Sequence, residues 1–465
     1  TLDPTSDLIE FLNPLGSDNA YYLDTGWVSS DSTIELPNSS SIWIADKNTI
    51  GVNEPVKLTW TSDQNITFEK IITLDENYLF SVDQRVINNS GLSFDLYPYG
   101  LSKRQGIPEM QNFFILHEGP LSITDGVLEE YDYDDLKDDK KIKHSSVGGW
   151  IGMTDKYWQT AIIPNQNEPV QQTYSYSFVD NIDNFQTDIV GERIAVSNNA
   201  SISHNFKIFA GPKIVNIIDK YMEEYGFDGF DRSVDFGWFY FLTKPIFNVL
   251  EFIYGYVGNF GWSIILFTVL MRICFFPLAQ QSFKSMAKMK KLAPEMQRLK
   301  EQYGDDRAGM QKEMMALYKR EKANPIAGCL PILLQIPVFF ALYKVLFVTI
   351  EMRHAPFIGW VHDLSAPDPL GALTLFGFVE WNVPGILQIL NVGIWPILMG
   401  ISMYIQFKLN PAPVDKMQAK IFGLLPIVFT FILGGFAAGL VIYWTTNNVL
   451  SMAQQYIIQR KIMKS

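Results

Sequence analysis

The sequence predicts a multi-domain membrane protein: an all-β domain in water, followed by an α-helical transmembrane bundle of five spans with a cytoplasmic helical hairpin. Three observations predict it. Thr1 to Phe236 carries 37 acidic and 16 basic residues, a net of −21, whereas Gly237 to Ser465 carries 12 and 21, a net of +9, so the overall acidity describes neither half. Hydrophobicity alternates in short runs in the first half and gathers into long apolar runs in the second. One of those runs, Phe260 to Ala279, holds a single charge, Arg272. A guanidinium in hydrocarbon costs several kcal/mol or more, so a chain that keeps one gives it water, a partner or a task.

In the first half, the stretches around Trp43 to Ser90, Gly148 to Asn165, Gln172 to Asp180 and Ala200 to Pro212 are β-branched and aromatic runs broken by Asn, Gly, Pro and Asp. That pattern predicts an antiparallel β-sandwich over 1–212. The acidic run Glu129 to Asp139 reads as a solvated loop. The five histidines, His117, His144, His204, His354 and His362, have no metal-ligand spacing, and no phosphate loop, G-x-S-x-G or Cys/His set occurs, so no catalytic residue, metal or cofactor is expected. Cys274 and Cys329 both lie in apolar runs, far apart, and imply no disulfide framework.

Residues 213–257 read as an amphipathic bridge lying on the membrane. Trp238, Phe239, Phe241, Leu242, Ile246 and Phe247 stand beside Lys244, Asn248 and Glu251, with Pro245 interrupting, a composition suited to the headgroup boundary. Residues 258–465 then supply spans at about 258–278, 326–350, 392–409, 421–437 and 439–458, against the roughly 20 apolar residues that a bilayer core requires. Ser282 to Asn324 holds eleven Lys/Arg, Lys416 and Lys420 follow, and the tail carries Arg460, Lys461 and Lys464, while Glu351 to Asn391 has only Arg353. Basic segments stay cytoplasmic, so the hairpin 282–324 and the C-terminus face inward and the β domain and the loop 351–391 face outward. Gln418 to Ile458 must cross twice, and spans that short thin the bilayer around them.

Polar residues cluster at middle to cytoplasmic depth. On a continuous helix Arg272 lies about 18 Å from the outer end of its run and about 10 Å from the inner end, with Thr268 one turn away on the same face. Gln335, Gln406, Trp444, Asn447 and Asn448 fall in the other spans. Together they predict a wet groove that opens inward and stops short of the outside; the bland alternative is an Arg272 stem that snorkels to the interface. Met286, Met289, Leu292, Met296 and Leu299 answer Met310, Met314, Leu317 and Tyr318 across Gly304, the seam of a two-helix hairpin, and its basic surplus fits anionic headgroups or ribosomal RNA.

The segments SMAKMKKLAPEMQRLKEQYGDD, QKEMMALYKREKANPIAGCLPILLQIPVFFALYKVL and APFIGWVHDLSAPDP resemble the YidC/Oxa/Alb family of membrane protein insertases over nearly everything from Phe236 onward. FAGPK and DFGWFYFLTKP extend the resemblance, more loosely, into the first half. It implies a β-supersandwich periplasmic domain of the Gram-negative type, residence in the bacterial inner membrane, and insertion of nascent membrane proteins without nucleotide hydrolysis by this chain. It also implies an Arg272 that attracts acidic substrate tails, with Thr268, Gln406 and Trp444 at positions that line or support the groove. Ile332, Ile336, Phe339, Phe340, Phe429 and Phe431 are expected on a hydrophobic slide toward lipid. The hairpin is implied in docking the ribosome, the signal recognition particle receptor or the Sec translocon. Members of this type carry a further N-terminal span, expected either to have been removed or to lie outside the polar segment at which this sequence starts. Trp444 stands where relatives commonly have tyrosine. The rival reading, a secondary transporter or channel, lacks two matching halves and paired broken helices.

Overall fold

The computed structural model of the chain folds residues 21–212 into two antiparallel sheets; burial alternates along Phe94–Gln105, whereas Trp150–Thr154 is buried on both faces. It describes residues 9–110, 116–304, 306–321, 330–379, 381–410 and 416–464, in two compact units that meet in sequence at Asp235 and Phe236. In the first unit one sheet runs Tyr21–Val28, Phe94–Gln105, Ile182–Gly191, Pro169–Val179, Lys141–Val147, with Ile194–Val196 also on Phe94–Gln105. The other runs Ile44–Ala45, Val56–Thr61, Ile66–Leu74, Leu79–Asn88, Ser201–Pro212, Trp158–Ile163, Trp150–Thr154, Gly119–Thr124, Val127–Glu130.

Their inner faces share a core of Tyr21, Ile151, Met153, Ile162, Tyr174, Phe185, Ile189 and Phe206. Burying that many aromatic and branched side chains, at about 25 cal/mol per Å² of apolar surface, holds the sheets together. Hydroxyls stitch the sandwich where polar groups enter it: Tyr21 Oη and Ser102 Oγ lie 2.8 and 3.1 Å from Thr160 Oγ1. Arg104, from one sheet, donates to Asp155 of the other at 2.6 and 3.2 Å. At Gly152 a Cβ would stand 1.8 Å from the carbonyl oxygen of Thr160, so only glycine permits these strands to meet.

Two expectations change here. The acidic run contains α1 (Tyr133–Asp139), which buries Tyr133 and Leu136 while its aspartates face water. The backbone N–H of Asp132 donates to the Asp135 carboxylate at 3.3 Å, an N-terminal contact that offsets the poor helix propensity of Asp. The bridge 213–257 also divides. Its first helix, α2 (Val215–Tyr225), belongs to the β unit, with Val215, Ile218 and Tyr221 buried and the Tyr221 hydroxyl donating to Asp75.

The second unit opens with α3 (Tyr240–Val257), which buries Thr243, Ile246, Phe247 and Leu250 and leaves Phe241, Phe252 and Tyr256 exposed, with Trp238 exposed just before it. It packs against α4 (Phe260–Cys274). The chain then bends by 69° into α5 (Phe276–Tyr303). Pro277 explains the bend: it has no N–H to continue the α4 ladder, but suits the first turn of a new helix. The expected continuous first span is therefore two helices, and Arg272 sits in the last turn of α4.

After Gly304 comes α6 (Arg307–Arg320). It lies along α5, with Tyr318 Oη 3.7 Å from Met296 Sδ and Arg320 paired to Glu295 at 3.2 Å. Met296 and Leu317 are buried at this seam. The remaining helices are α7 (Leu330–Val348), α8 (Ile394–Leu409), α9 (Lys416–Gly434) and α10 (Ala438–Lys464). In α8, a Cβ at Gly400 would lie 2.0 Å from Thr430 Oγ1 of α9, a contact as close as small residues allow.

Among the described residues no single helix is both long and apolar enough to cross a membrane; only the bent pair α4 and α5, taken together, has the length and composition for it. The arithmetic is plain for α8, whose 16 residues span about 24 Å against a hydrocarbon core of about 30 Å. α10 runs for 27 residues, so the helix itself continues past residue 458.

Candidate functional site

The site begins with a helix end. Arg272 lies in the last turn of α4, where unpaired carbonyls make a cation favourable. Across from it, α10 presents Tyr443 and Asn447, four residues apart and so on one face. Arg272 Nε donates to Asn447 Oδ1 at 2.7 Å and Nη2 donates to the Asn447 carbonyl at 3.2 Å. The guanidinium has five N–H donors; the other three have no protein partner among the described residues.

Arg272 and Asn447 form one wall of a cavity completed by Met271, Phe275, Leu278, Ala279, Gln335, Val338 and Tyr443. Counted to its open mouth the empty space is about 440 Å³, but the part that can hold the centre of a water molecule is only about 40 Å³. That is enough for a few waters and too little for a polypeptide. Donors face a hydratable space, α4 and α10 hold them, and any larger guest requires the helices to part.

Of the seven groove residues expected from sequence, Arg272, Gln335 and Asn447 meet at this cavity. Thr268 is buried, and its hydroxyl donates to the Ile264 carbonyl of its own helix at 2.6 Å; a buried threonine satisfies itself in this way when nothing polar faces it. Asn448, one residue on from Asn447, points about 100° away around α10 and donates to Ser402 Oγ at 3.0 Å, tying α10 to α8. Gln406 is half-buried on α8 and is not among the cavity's lining residues.

Trp444 leaves the cavity altogether. Its ring lies 4.8 Å from Phe339 of α7 and 5.7 Å from Phe429 of α9, centroid to centroid. Two expected slide residues are thus bridged by an expected groove residue, beside the buried Met399, Leu433 and Val441. Ile336, Phe340 and Phe431 are exposed. The side chain of Ile332 lies outside the described residues.

The sequence reading missed Tyr443, which is buried in the cavity wall. An aromatic inside an apolar run reads as core; its spacing of four from Asn447 was the one available signal. α10 continues the polar face toward its C-terminal end. Ser451 Oγ donates to the Asn447 carbonyl at 2.7 Å, and Gln455 Nε2 donates to Asn410 Oδ1 at 3.0 Å.

Comparison with known proteins places this arrangement. Residues 252–465 match the family described as "60Kd inner membrane protein", and residues 1–249 match the "YidC periplasmic domain" family. The "Membrane protein insertase YidC" of Pelagibacter ubique (strain HTCC1062) is 48% identical over 459 residues, covering 98% of this chain and 81% of that relative. The protein of the same name from Methylorubrum extorquens (strain PA1) is 46% identical over 475 residues, covering 99% and 76%. A solved structure described as an active YidC insertase with the first transmembrane domain resolved aligns over 94% of this chain and 83% of its own, at 17% identity and a TM-score of 0.40. Two family matches that between them take in both units, and relatives nearly half identical over almost the full length, make this chain a member of the YidC family of inner-membrane protein insertases.

Proposed function

We propose that this chain inserts nascent membrane proteins by drawing their polar tails into the Arg272 cavity from the cytoplasm and passing their apolar helices to lipid along α7 and α9. The observation that carries this reading is the arginine itself. It is fixed by Asn447 at the wall of a hydratable cavity, with three donors that have no partner among the described residues, on a helix that is otherwise apolar. An acidic tail entering the space trades water for charge-assisted hydrogen bonds. The substrate helix then gains about 25 cal/mol per Å² as its apolar surface leaves water for lipid, and that gain drives the transfer.

In this reading five crossings run from an outer β domain to an inner C-terminus, the α5 and α6 pair is the cytoplasmic hairpin, and α3 lies at the outer headgroup boundary. The basic surface of the hairpin docks the ribosome or the signal recognition particle receptor, and the bundle works alone or beside the Sec translocon. Gln335 supports the groove next to Arg272, and Gln406 lies toward its inner mouth. Ile336, Phe339, Phe340, Phe429 and Phe431 form the slide. Thr268 and Asn448 hold the helices that carry the groove.

The test is site-specific crosslinking to a stalled nascent chain. Photoreactive residues at positions 272 and 335 are expected to capture the polar tail, and those at 340 and 431 the apolar helix. Capture of the apolar helix at 272 and of nothing at 340 and 431 would reverse the assignment.

A further inference from the structure

The segment between α7 and α8 divides into two halves of opposite burial. Residues 350–370 hold Glu351, Arg353, His354, His362, Asp363 and Asp368, yet they fold in: Met352, Ala355, Val361 and Leu364 are almost fully buried. Residues 371–391 carry one ionisable side chain, Glu380, which lies outside the described residues. Here Leu375, Phe378, Trp381, Ile386, Ile389 and Leu390 are all exposed, Phe378 at 91% and Ile386 at 87%. A chain that buries the apolar residues of the polar half and leaves those of the apolar half open has something other than itself to cover them.

The exposed half is held firmly at its base. Asp368, itself buried, accepts from Trp360 Nε1 at 3.0 Å, from the Leu370 N–H at 3.1 Å and from the Trp395 N–H in the first turn of α8 at 2.8 Å. Asn391 Oδ1 accepts from the Leu373 N–H at 3.0 Å, and the Ala372 N–H donates to the Val392 carbonyl at 2.9 Å. Leu375 and Phe376 are both in the left-handed region, φ 47° and 57°, a conformation that bulky residues adopt only when the surroundings impose it. The 3₁₀ turn Gly385–Leu390 packs on α9, a helix that itself exposes Ile427, Val428 and Ile432, so two elements in contact both present apolar side chains outward.

We infer that residues 375–390 are a membrane anchor: a pinned tip with a single acidic residue that sits in the outer leaflet of the bilayer, its aromatic side chains at the headgroup level. Contact with α9, which also exposes apolar side chains, identifies the occupant as lipid, and Phe and Trp with scarcely any charge is the composition that partitions there. The tip also fixes the depth of α8 and α9, whose short lengths leave little apolar margin.

The inference rests on membrane residence of the helical unit. It is tested on the full chain in phosphatidylcholine/phosphatidylglycerol vesicles, with Cys274 and Cys329 replaced by Ser and an environment-sensitive nitrobenzoxadiazole dye placed on single cysteines. Phe378→Cys and Ile386→Cys are expected to give blue-shifted emission, quenching by spin-labelled acyl chains and protection from aqueous iodide. His362→Cys, in the polar half, is expected to be quenched by iodide, and Ile427→Cys on α9 by acyl-chain spin labels. Iodide quenching at 378 and 386 equal to that at 362 would overturn the anchor. Protection from both quenchers would also overturn it, by placing protein over the tip. Loss of acyl-chain quenching at 427 as well would show that the failure lies in the membrane placement of the whole unit.

Discussion

Arg272→Glu is expected to lower insertion of a substrate with an acidic tail by at least about tenfold, measured as the protease-protected fraction in inverted vesicles. Unit charges about 8 Å apart interact by about 2 kcal/mol at an effective dielectric near 20, so reversing the sign moves the balance by about 4 kcal/mol before solvent screening in a hydrated cavity reduces it. A residue of about 1.4 kcal/mol already gives the factor of ten. The same variant leaves a substrate with a neutral tail near its normal level, because the apolar drive along α7 and α9 is untouched. It improves a substrate whose tail carries a lysine. Equal loss for acidic, neutral and basic tails would mean that the substitution damages the bundle, and that attraction plays no part.

Asn447→Leu has the second large effect, and it is on stability. The side-chain amide oxygen supplies the stronger of the two hydrogen bonds that hold the guanidinium, at 2.7 Å. Removing it leaves a charged donor facing leucine, a loss of about 2–3 kcal/mol. Unfolding by SDS titration in mixed micelles is expected to shift by that amount. Arg272→Met in the Asn447→Leu background removes the stranded charge, so the double variant is expected to recover most of the loss. A double variant that is destabilised by the sum of the two single ones would show the pair to be uncoupled.

The same pair shows how far sequence reached. Arg272 was legible because a lone charge in an apolar run has no cheap explanation, and the strands of the β unit were legible because short β-branched and aromatic runs are broken by Asn, Gly, Pro and Asp. The bend after Cys274 was not, although Pro277 was in view: proline marks where a helix can break, and whether it opens a new helix at 69° is decided by what the new axis packs against. Here that is α10, through Ala279, Phe283, Met286 and Ile458. Asn448 was assigned to the groove on depth, and Thr268 on its one-turn spacing from Arg272 and the family resemblance. Depth fixes height along a helix and leaves azimuth open, and the two side chains turned out to serve Ile264 and Ser402. Trp444, one residue and about 100° away from Tyr443, packs on Phe339 and Phe429.

The burial of α2 was hidden differently. Val215, Ile218 and Tyr221 make an apolar stripe that would fit a bilayer surface or a sheet equally well; the Tyr221 hydroxyl on Asp75 belongs to the sheet. Likewise, the apolar half of the 350–391 segment was read only as an outward loop, because positive-inside reasoning counts charges and is blind to exposed leucine and phenylalanine.

The most direct test of the central claim is thiol accessibility at position 272. With Cys274 and Cys329 replaced by Ser and Arg272→Cys introduced, a membrane-impermeant maleimide is expected to label the protein from the cytoplasmic face of inverted vesicles and not from the periplasmic face of spheroplasts. Labelling from neither face would mean that the cavity is sealed, and labelling from both would make it a pore; either result contradicts a groove that is open to the cytoplasm alone.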